Sequence, residues 1–320
     1  MLTHSKLPIL KQINDFLDYV DVEKGLAKQT QENYSRCLDR FKHWLIENKM
    51  QELLPHQLTA EIIWKYRIFL SRKTLSAKTK QSLTKKTQNI YLIALRGLLE
   101  YFAVRDITAL PASKIQLAKQ TKKPSVHFLT LEKVKKLLDC AVKSDLNSLR
   151  DKAILETLFS TGLRVSEVVK LNRDDFNIKN FKQVLELNIV GKGSKTRTIY
   201  FSLRALAAIK NYIDKRADID KALFINYSPT ASEIGSRRLT SRSVERIVKK
   251  YVKLAGLPIN TTPHTLRHSF ATDLLNKGVD LRLVQEFLGH EDISTTQIYT
   301  HVTNKKLRDV YEQFHSEKWR

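Results

Sequence analysis

Apolar residues recur at helical spacing along most of this chain, and one stretch instead alternates with a period of two, which predicts a mainly α-helical protein carrying a small antiparallel β-sheet. Between Leu7 and Val104 three sets each mark one face of a helix: Ile13, Phe16, Leu17 and Val20, then Tyr34, Leu38, Phe41 and Leu45, then Ile62, Tyr66 and Phe69. Pro55 falls between the second and third, and Thr84 is placed to cap a fourth helix running through Leu92, Leu95 and Leu99. These are the helices of a small bundle. The alternating stretch is QVLELNIV and KTRTIYFS around Gly191-Lys192-Gly193-Ser194, the pattern of a hairpin closed by a tight glycine turn. From Leu203 onward the spacing is helical again, with breaks near Tyr227 to Pro229, Gly256 to Pro258, Gly278 and Gly289.

At 320 residues the chain exceeds what one core of ordinary size organises, so two domains are expected. The boundary belongs in PASKIQLAKQTKKPSV, which loses periodicity, gains two prolines and stays basic. We therefore expect a helical, DNA-binding bundle over residues 1–110, a basic linker over 111–127, and a second domain over 128–320. That second domain opens with Thr130 as the cap of LEKVKKLLDCAV, continues in a helix, RDKAILETLFS, that stops at Thr161-Gly162, and has a short helix ending near Leu171.

The formal net charge of +23 favours a polyanionic partner, and nucleic acid above all. Between Arg72 and Leu99 the chain carries Arg72, Lys73, Lys78, Lys80, Lys85, Lys86 and Arg96 with no acidic residue, whereas a solvated helix face ordinarily mixes both signs. These seven are candidate phosphate contacts. Cys37 and Cys140 stand far apart without ligand spacing, so neither a disulfide framework nor a zinc knuckle is supported. No stretch reaches membrane-spanning length and the N-terminus has no cleavable leader, so a cytoplasmic protein without membrane contact is expected.

Four segments of the second domain bring polar groups that a helical core does not need. Arg164 follows a glycine break, with Glu167 one turn on; an i,i+3 surface ion pair is the bland alternative. Lys192 projects from the hairpin tip, where a solvated lysine is the default. His264 and Arg267 sit three apart after Pro263, pairing an imidazole with a guanidinium able to clamp phosphate. His264 and His268 also have i,i+4 metal-ligand spacing, but Arg267 between them repels a cation and no Glu or Cys stands at a ligand-like offset, so no metal is assigned. His290 is followed closely by Tyr299, which taken alone would be a packing residue.

Together two arginines, two histidines, a lysine and a tyrosine are the inventory needed to break a phosphodiester without metal. A phenol with a pKa near 10 needs a base and nearby cations to act as nucleophile, and fixed guanidinium and imidazole donors stabilise charge gathering on phosphate oxygens. At these residues the chain resembles a known family. TGLRVSE, GKGSKTR, HTLRHSFATDLL and LGHEDISTTQIYTHV are similar to the tyrosine recombinase, or lambda-integrase, family, the last two especially to its Xer branch. FLDYVDVEKGLAKQTQENYSRCLDRF resembles, more weakly, the core-binding domain of the same branch.

The resemblance implies a two-domain DNA clamp in which a helical core-binding domain is joined to a mixed α/β catalytic domain. It implies that Tyr299 becomes joined to a DNA 3′-phosphate, that Arg164 and Arg267 clamp the scissile phosphate, and that His290 donates a further hydrogen bond. His264 would serve proton transfer and phosphate contact, and Lys192 would protonate the leaving 5′-oxygen. Glu167 and His268 are supporting residues, the first orienting Arg164, the second capping or packing its helix. Residues 304–320 resemble an exchange helix that docks on a neighbouring subunit, with Val302 just before it and Leu307, Val310, Tyr311 and Phe314 within it as the apolar positions; a helix packed in cis is the alternative.

No ATP, metal or other cofactor is implied, since the phosphotyrosyl link keeps the energy of the broken bond. The implied partners are duplex DNA with a specific recombination site, other recombinase copies in a homo-tetramer or a hetero-tetramer with a paralogue, and a DNA translocase of the FtsK type. The expected role is Xer-type resolution of chromosome or plasmid multimers through a Holliday junction. Integration of a phage or mobile element would use the same chemistry, and a non-catalytic DNA-binding protein would need only the charge.

Overall fold

A computed structural model describes residues 3–73, 82–119, 127–141, 144–176, 185–190, 196–228 and 237–289, excepting the side chain of Lys73. The chain divides into two compact units, residues 1–124 and 125–320.

The first unit is built on α1 (Ile9–Val22), α2 (Lys28–Glu47), α3 (Ala60–Ile68) and α4 (Lys85–Val104). Thr84 caps α4 with its hydroxyl, which accepts the Thr87 N–H at 3.2 Å. The apolar faces close on one another, burying Phe16, Leu38, Phe41, Leu45, Tyr66, Leu95 and Phe102 in a single core. The first part of the segment expected as a linker packs on this unit. Ile115 is 1 % exposed and belongs to this core, with Leu117 packed against it, and the Asn89 amide bonds both the N–H and the carbonyl of Ala118, at 3.0 and 2.9 Å. The two prolines end helical periodicity, but burial of Ile115 holds the segment on the bundle, a long-range contact that composition does not report.

The second unit contains α5 (Leu131–Asp139), α6 (Leu146–Thr161), α7 (Val165–Val168), strands β1 (Leu185–Val190) and β2 (Thr196–Phe201), then α8 (Leu203–Ile213), α9 (Ser241–Leu254), α10 (Pro263–Asn276) and α11 (Leu281–Leu288). Helix α6 is buried on nearly every side, by apolar Ala153, Ile154, Leu155 and Leu158 and by the polar Arg150, Asp151, Glu156 and Thr157, and it packs against α8 and α10. It stops where the sequence requires, at Gly162 with φ 61°. Strands β1 and β2 pair antiparallel from Leu185↔Phe201 to Val190↔Thr196, and Ile199 and Phe201 face the core. Thr130 does occupy the N-cap of α5, but its hydroxyl makes no capping bond.

Helical spacing fails between α8 and α9. Residues 214–228 are not helical: Ala222 bridges Asn172 and Ile225 bridges Arg238. Ala222, Leu223, Phe224 and Ile225 are consecutive and all buried, which an extended segment enclosed on both faces satisfies and one helical face cannot. The Arg216 guanidinium donates to the carbonyls of Asp220, Ala222 and Leu223 at 3.0, 2.7 and 2.9 Å, taking the place of a hydrogen-bond ladder. No helix among the described residues is long and apolar enough to cross a membrane.

Candidate active site

The site is assembled where three helix ends meet: the C-terminus of α6, the start of α7 and the C-terminus of α11. Both C-termini close on a left-handed glycine, Gly162 with φ 61° and Gly289 with φ 61°. A helix C-terminus leaves carbonyls without intrahelical partners and carries partial negative charge. Arg267 uses both features. Only 4 % exposed on α10, it donates from Nη1 to the Gly162 carbonyl at 2.7 Å and from Nη2 to the Leu288 carbonyl at 2.6 Å. One buried guanidinium thus ties two helix ends together, which offsets much of the cost of desolvating it.

Arg164 stands at the N-cap of α7. Its Nη2 donates to the Gly289 carbonyl at 3.1 Å and its Nη1 to Glu167 Oε1 at 3.1 Å, while its backbone N–H reaches Glu167 Oε2 at 2.8 Å. Two guanidiniums from separate segments therefore rest on the consecutive carbonyls of Leu288 and Gly289. Arg267 is enclosed, and Arg164 keeps 29 % of its side chain exposed.

Glu167 is not half of a surface ion pair. It is 7 % exposed, and besides Arg164 it receives Arg197 from β2 in a bidentate fork, Nη1 to Oε1 at 3.0 Å and Nη2 to Oε2 at 2.7 Å. Burial alone would raise its pKa; the bonds from Arg197 and Arg164 outweigh that and hold the carboxyl below its usual range. Arg197 escaped the sequence reading, although a signal exists. Counting back by two from Phe201 and Ile199 puts it on the core-facing side of β2, where a charge needs a partner.

Helix α10 starts at Pro263 behind the Thr262 cap, whose hydroxyl accepts the Thr265 N–H at 3.4 Å. It turns Arg267 inward and leaves His264 exposed. His268 is half-buried, and burial, helped by the nearby His264 and Arg267 charges, pushes its pKa down to about 4, so it is neutral at neutral pH. Among the described residues no group of three or more His, Cys, Asp or Glu is placed to hold a metal ion.

Lys192, His290 and Tyr299 lie outside the described residues, as do Lys78, Lys80 and the segment from Val302 through Leu307, Val310, Tyr311 and Phe314. In the first unit Arg72, Lys85 and Lys86 are exposed and Arg96 is half-buried.

Comparison with known proteins accounts for nearly all of this chain. The model for the phage integrase family matches residues 127–306, and that for the phage integrase N-terminal SAM-like domain matches 13–106. Tyrosine recombinase XerD of Listeria innocua is 38% identical over 95% of this chain and 98% of its own length. Tyrosine recombinase XerC of Syntrophus aciditrophicus is 36% identical over 95% and 96%. Among solved structures, XerH site-specific recombinase bound to difH substrate superposes with a TM-score of 0.72 at 22% identity, covering 96% of this chain and 97% of that one, a likeness of fold. A family match across more than half of the chain, with relatives this similar from end to end, establishes that the chain belongs to the phage integrase family, the tyrosine site-specific recombinases.

Proposed function

We propose that the cluster around Leu288 and Gly289 is the phosphate-binding part of an active site that breaks and rejoins duplex DNA through a 3′-phosphotyrosine. The observation that carries this reading is the seating of Arg164 and Arg267 on two consecutive carbonyls directly before His290. A guanidinium has five N–H donors, so Arg164 can hold Glu167 and Gly289 and still present its exposed edge to phosphate. Fixed cations near a scissile phosphate stabilise the charge that grows on its non-bridging oxygens, and they need no reorganisation as the reaction proceeds.

On this reading the Tyr299 oxygen attacks phosphorus and the 5′-oxygen departs, taking a proton from Lys192. His264 takes the proton that the tyrosine loses and contacts the phosphate, and His290 donates a further hydrogen bond to it. The free 5′-hydroxyl of a partner strand later attacks the phosphotyrosine and releases the tyrosine. The link conserves the bond's energy, so no nucleotide is consumed. Arg72, Lys85, Lys86 and Arg96 of the first unit are the described candidates for phosphate contact.

The similarity to XerC and XerD relatives along 95% of the chain supports an Xer-type role in resolving chromosome or plasmid multimers. Four protomers, alike or paired with a paralogue, would hold two such sites, with a translocase of the FtsK type as a candidate activator.

The test is denaturing-gel trapping of a covalent protein–DNA adduct on nicked duplexes taken from a replication terminus and from mobile-element ends, without metal or ATP. An adduct that disappears in Tyr299→Phe, with DNA binding retained, is the expected result. An adduct that survives the substitution overturns the assignment of Tyr299. An adduct formed only on mobile-element ends replaces the Xer role with integration.

A further inference from the structure

Arg197 occupies an unusual place for a charged side chain. The core-facing side of β2 runs Arg197, Ile199, Phe201, so the guanidinium enters the interior at the end of a row of apolar groups. Its side chain is 10 % exposed. Such a group is costly to bury unless its charge is met with good geometry. The Glu167 fork meets it, and Glu167 in turn holds Arg164 at two points, the backbone N–H and Nη1. One carboxylate thereby collects four donors from two arginines on separate elements.

A second contact joins the same side chain to the α11 turn. A Cβ built on Gly289 would lie 2.8 Å from Arg197 Cδ, 2.9 Å from Nη1 and 3.1 Å from Cζ. The Arg197 side chain thus fills the space beside Gly289, the residue whose carbonyl accepts from Arg164 Nη2. Arg164 is held by the Glu167 carboxylate and the Gly289 carbonyl, and Arg197 touches both of those residues. A residue serving stability alone would need the ion pair but not this second contact at the glycine whose carbonyl Arg164 uses.

We propose that Arg197 is a positioning residue for the strand-cleavage reaction: it locks Glu167 and the Gly289 turn so that Arg164 is presented to the scissile phosphate in one orientation. This rests on the reading of Arg164 as a phosphate clamp. The bidentate fork matters more than the charge, since a lysine ammonium is a point charge and would not reproduce the paired bonds to both carboxylate oxygens. Removing the fork also leaves Arg164 alone to oppose the effect of burial at Glu167, so its carboxyl would take a proton at a higher pH and hold Arg164 less firmly.

The experiment uses the full chain and single-turnover cleavage of a nicked duplex on which the unaltered protein forms its Tyr299-dependent adduct. That control separates the two readings, because without the adduct the clamp assignment fails before Arg197 is tested. Arg197→Gln and Arg197→Lys are compared with Arg164→Ala and with each double variant, alongside thermal melting and DNA affinity. Supporting groups of this kind typically change activity by about 10–100-fold, and a loss of that size is expected for both Arg197 variants with DNA affinity within about threefold. The doubles should be no slower than Arg164→Ala alone, and the acid limb of the Arg197→Gln rate profile should move to higher pH. A substrate with sulfur at the 5′-bridging position, whose leaving group needs no proton, should not restore the rate. Cleavage within twofold of the unaltered protein, additive losses in the doubles, or rescue by the sulfur substrate would each overturn the proposal. If Arg197→Gln melts too low to assay, Arg197→Lys, which keeps the charge, decides it by the same criteria.

Discussion

Replacing Gly162 by alanine should destabilise the second unit through two separable effects. The residue sits at φ 61°, where a side chain costs about 1 kcal/mol relative to glycine. The added Cβ would also lie 2.5 Å from Phe270 Cδ1, 2.9 Å from Cε1 and 3.2 Å from Leu288 Cδ2. An aromatic ring on α10 cannot yield as a flexible chain end would, and overpacking of this kind costs roughly 1–3 kcal/mol. The expected total is about 2–4 kcal/mol. In a unit of this size that lowers the melting temperature by roughly 4–16 °C. Calorimetry on the full chain measures it, and a double-mutant cycle with Phe270→Ala resolves the parts. With the ring gone, the increment for Gly162→Ala should shrink toward the backbone cost of about 1 kcal/mol. Because the Gly162 carbonyl holds Arg267, DNA cleavage should fall as well. A melting temperature within 2 °C of the unaltered protein, on the order of one kcal/mol at most, would refute the argument, as would equal increments in both backgrounds.

Two further outcomes follow from the same geometry. Arg267→Lys cannot span the Gly162 and Leu288 carbonyls, so it should lose about 2–3 kcal/mol, read as a lowered urea midpoint; an unchanged midpoint would mean that the two helix ends hold without the bridge. His268 has a folded-state pKa of about 4 against an unfolded value near 6.5, so its neutral form favours folding above pH 6.5 and that advantage is lost as pH falls toward 4. After discount for partial exposure this amounts to about 1–2 kcal/mol, and His268→Asn should flatten stability across that window; an unchanged slope removes His268 as its source.

Local signals in the sequence marked the parts of this fold that short-range physics controls. Thr84 announced the start of α4, Gly162 the end of α6, and the period-two stretch the β1–β2 hairpin, because caps, positive φ and alternation act within a few residues. Arg164 and Arg267 were recognisable as candidates for the same reason: their motifs are compact. Tertiary structure alone decided what those residues touch. The burial of Ile115, the extended run from Ala222 to Ile225, and the meeting of Arg197 with Glu167 all depend on partners far away in sequence. The same is true of the two helix-end carbonyls that Arg267 joins. A charge on the inner face of a strand signals a need for a partner, and only the packing of α7, β2 and α11 supplies one, because desolvation is set by the whole surroundings of a group.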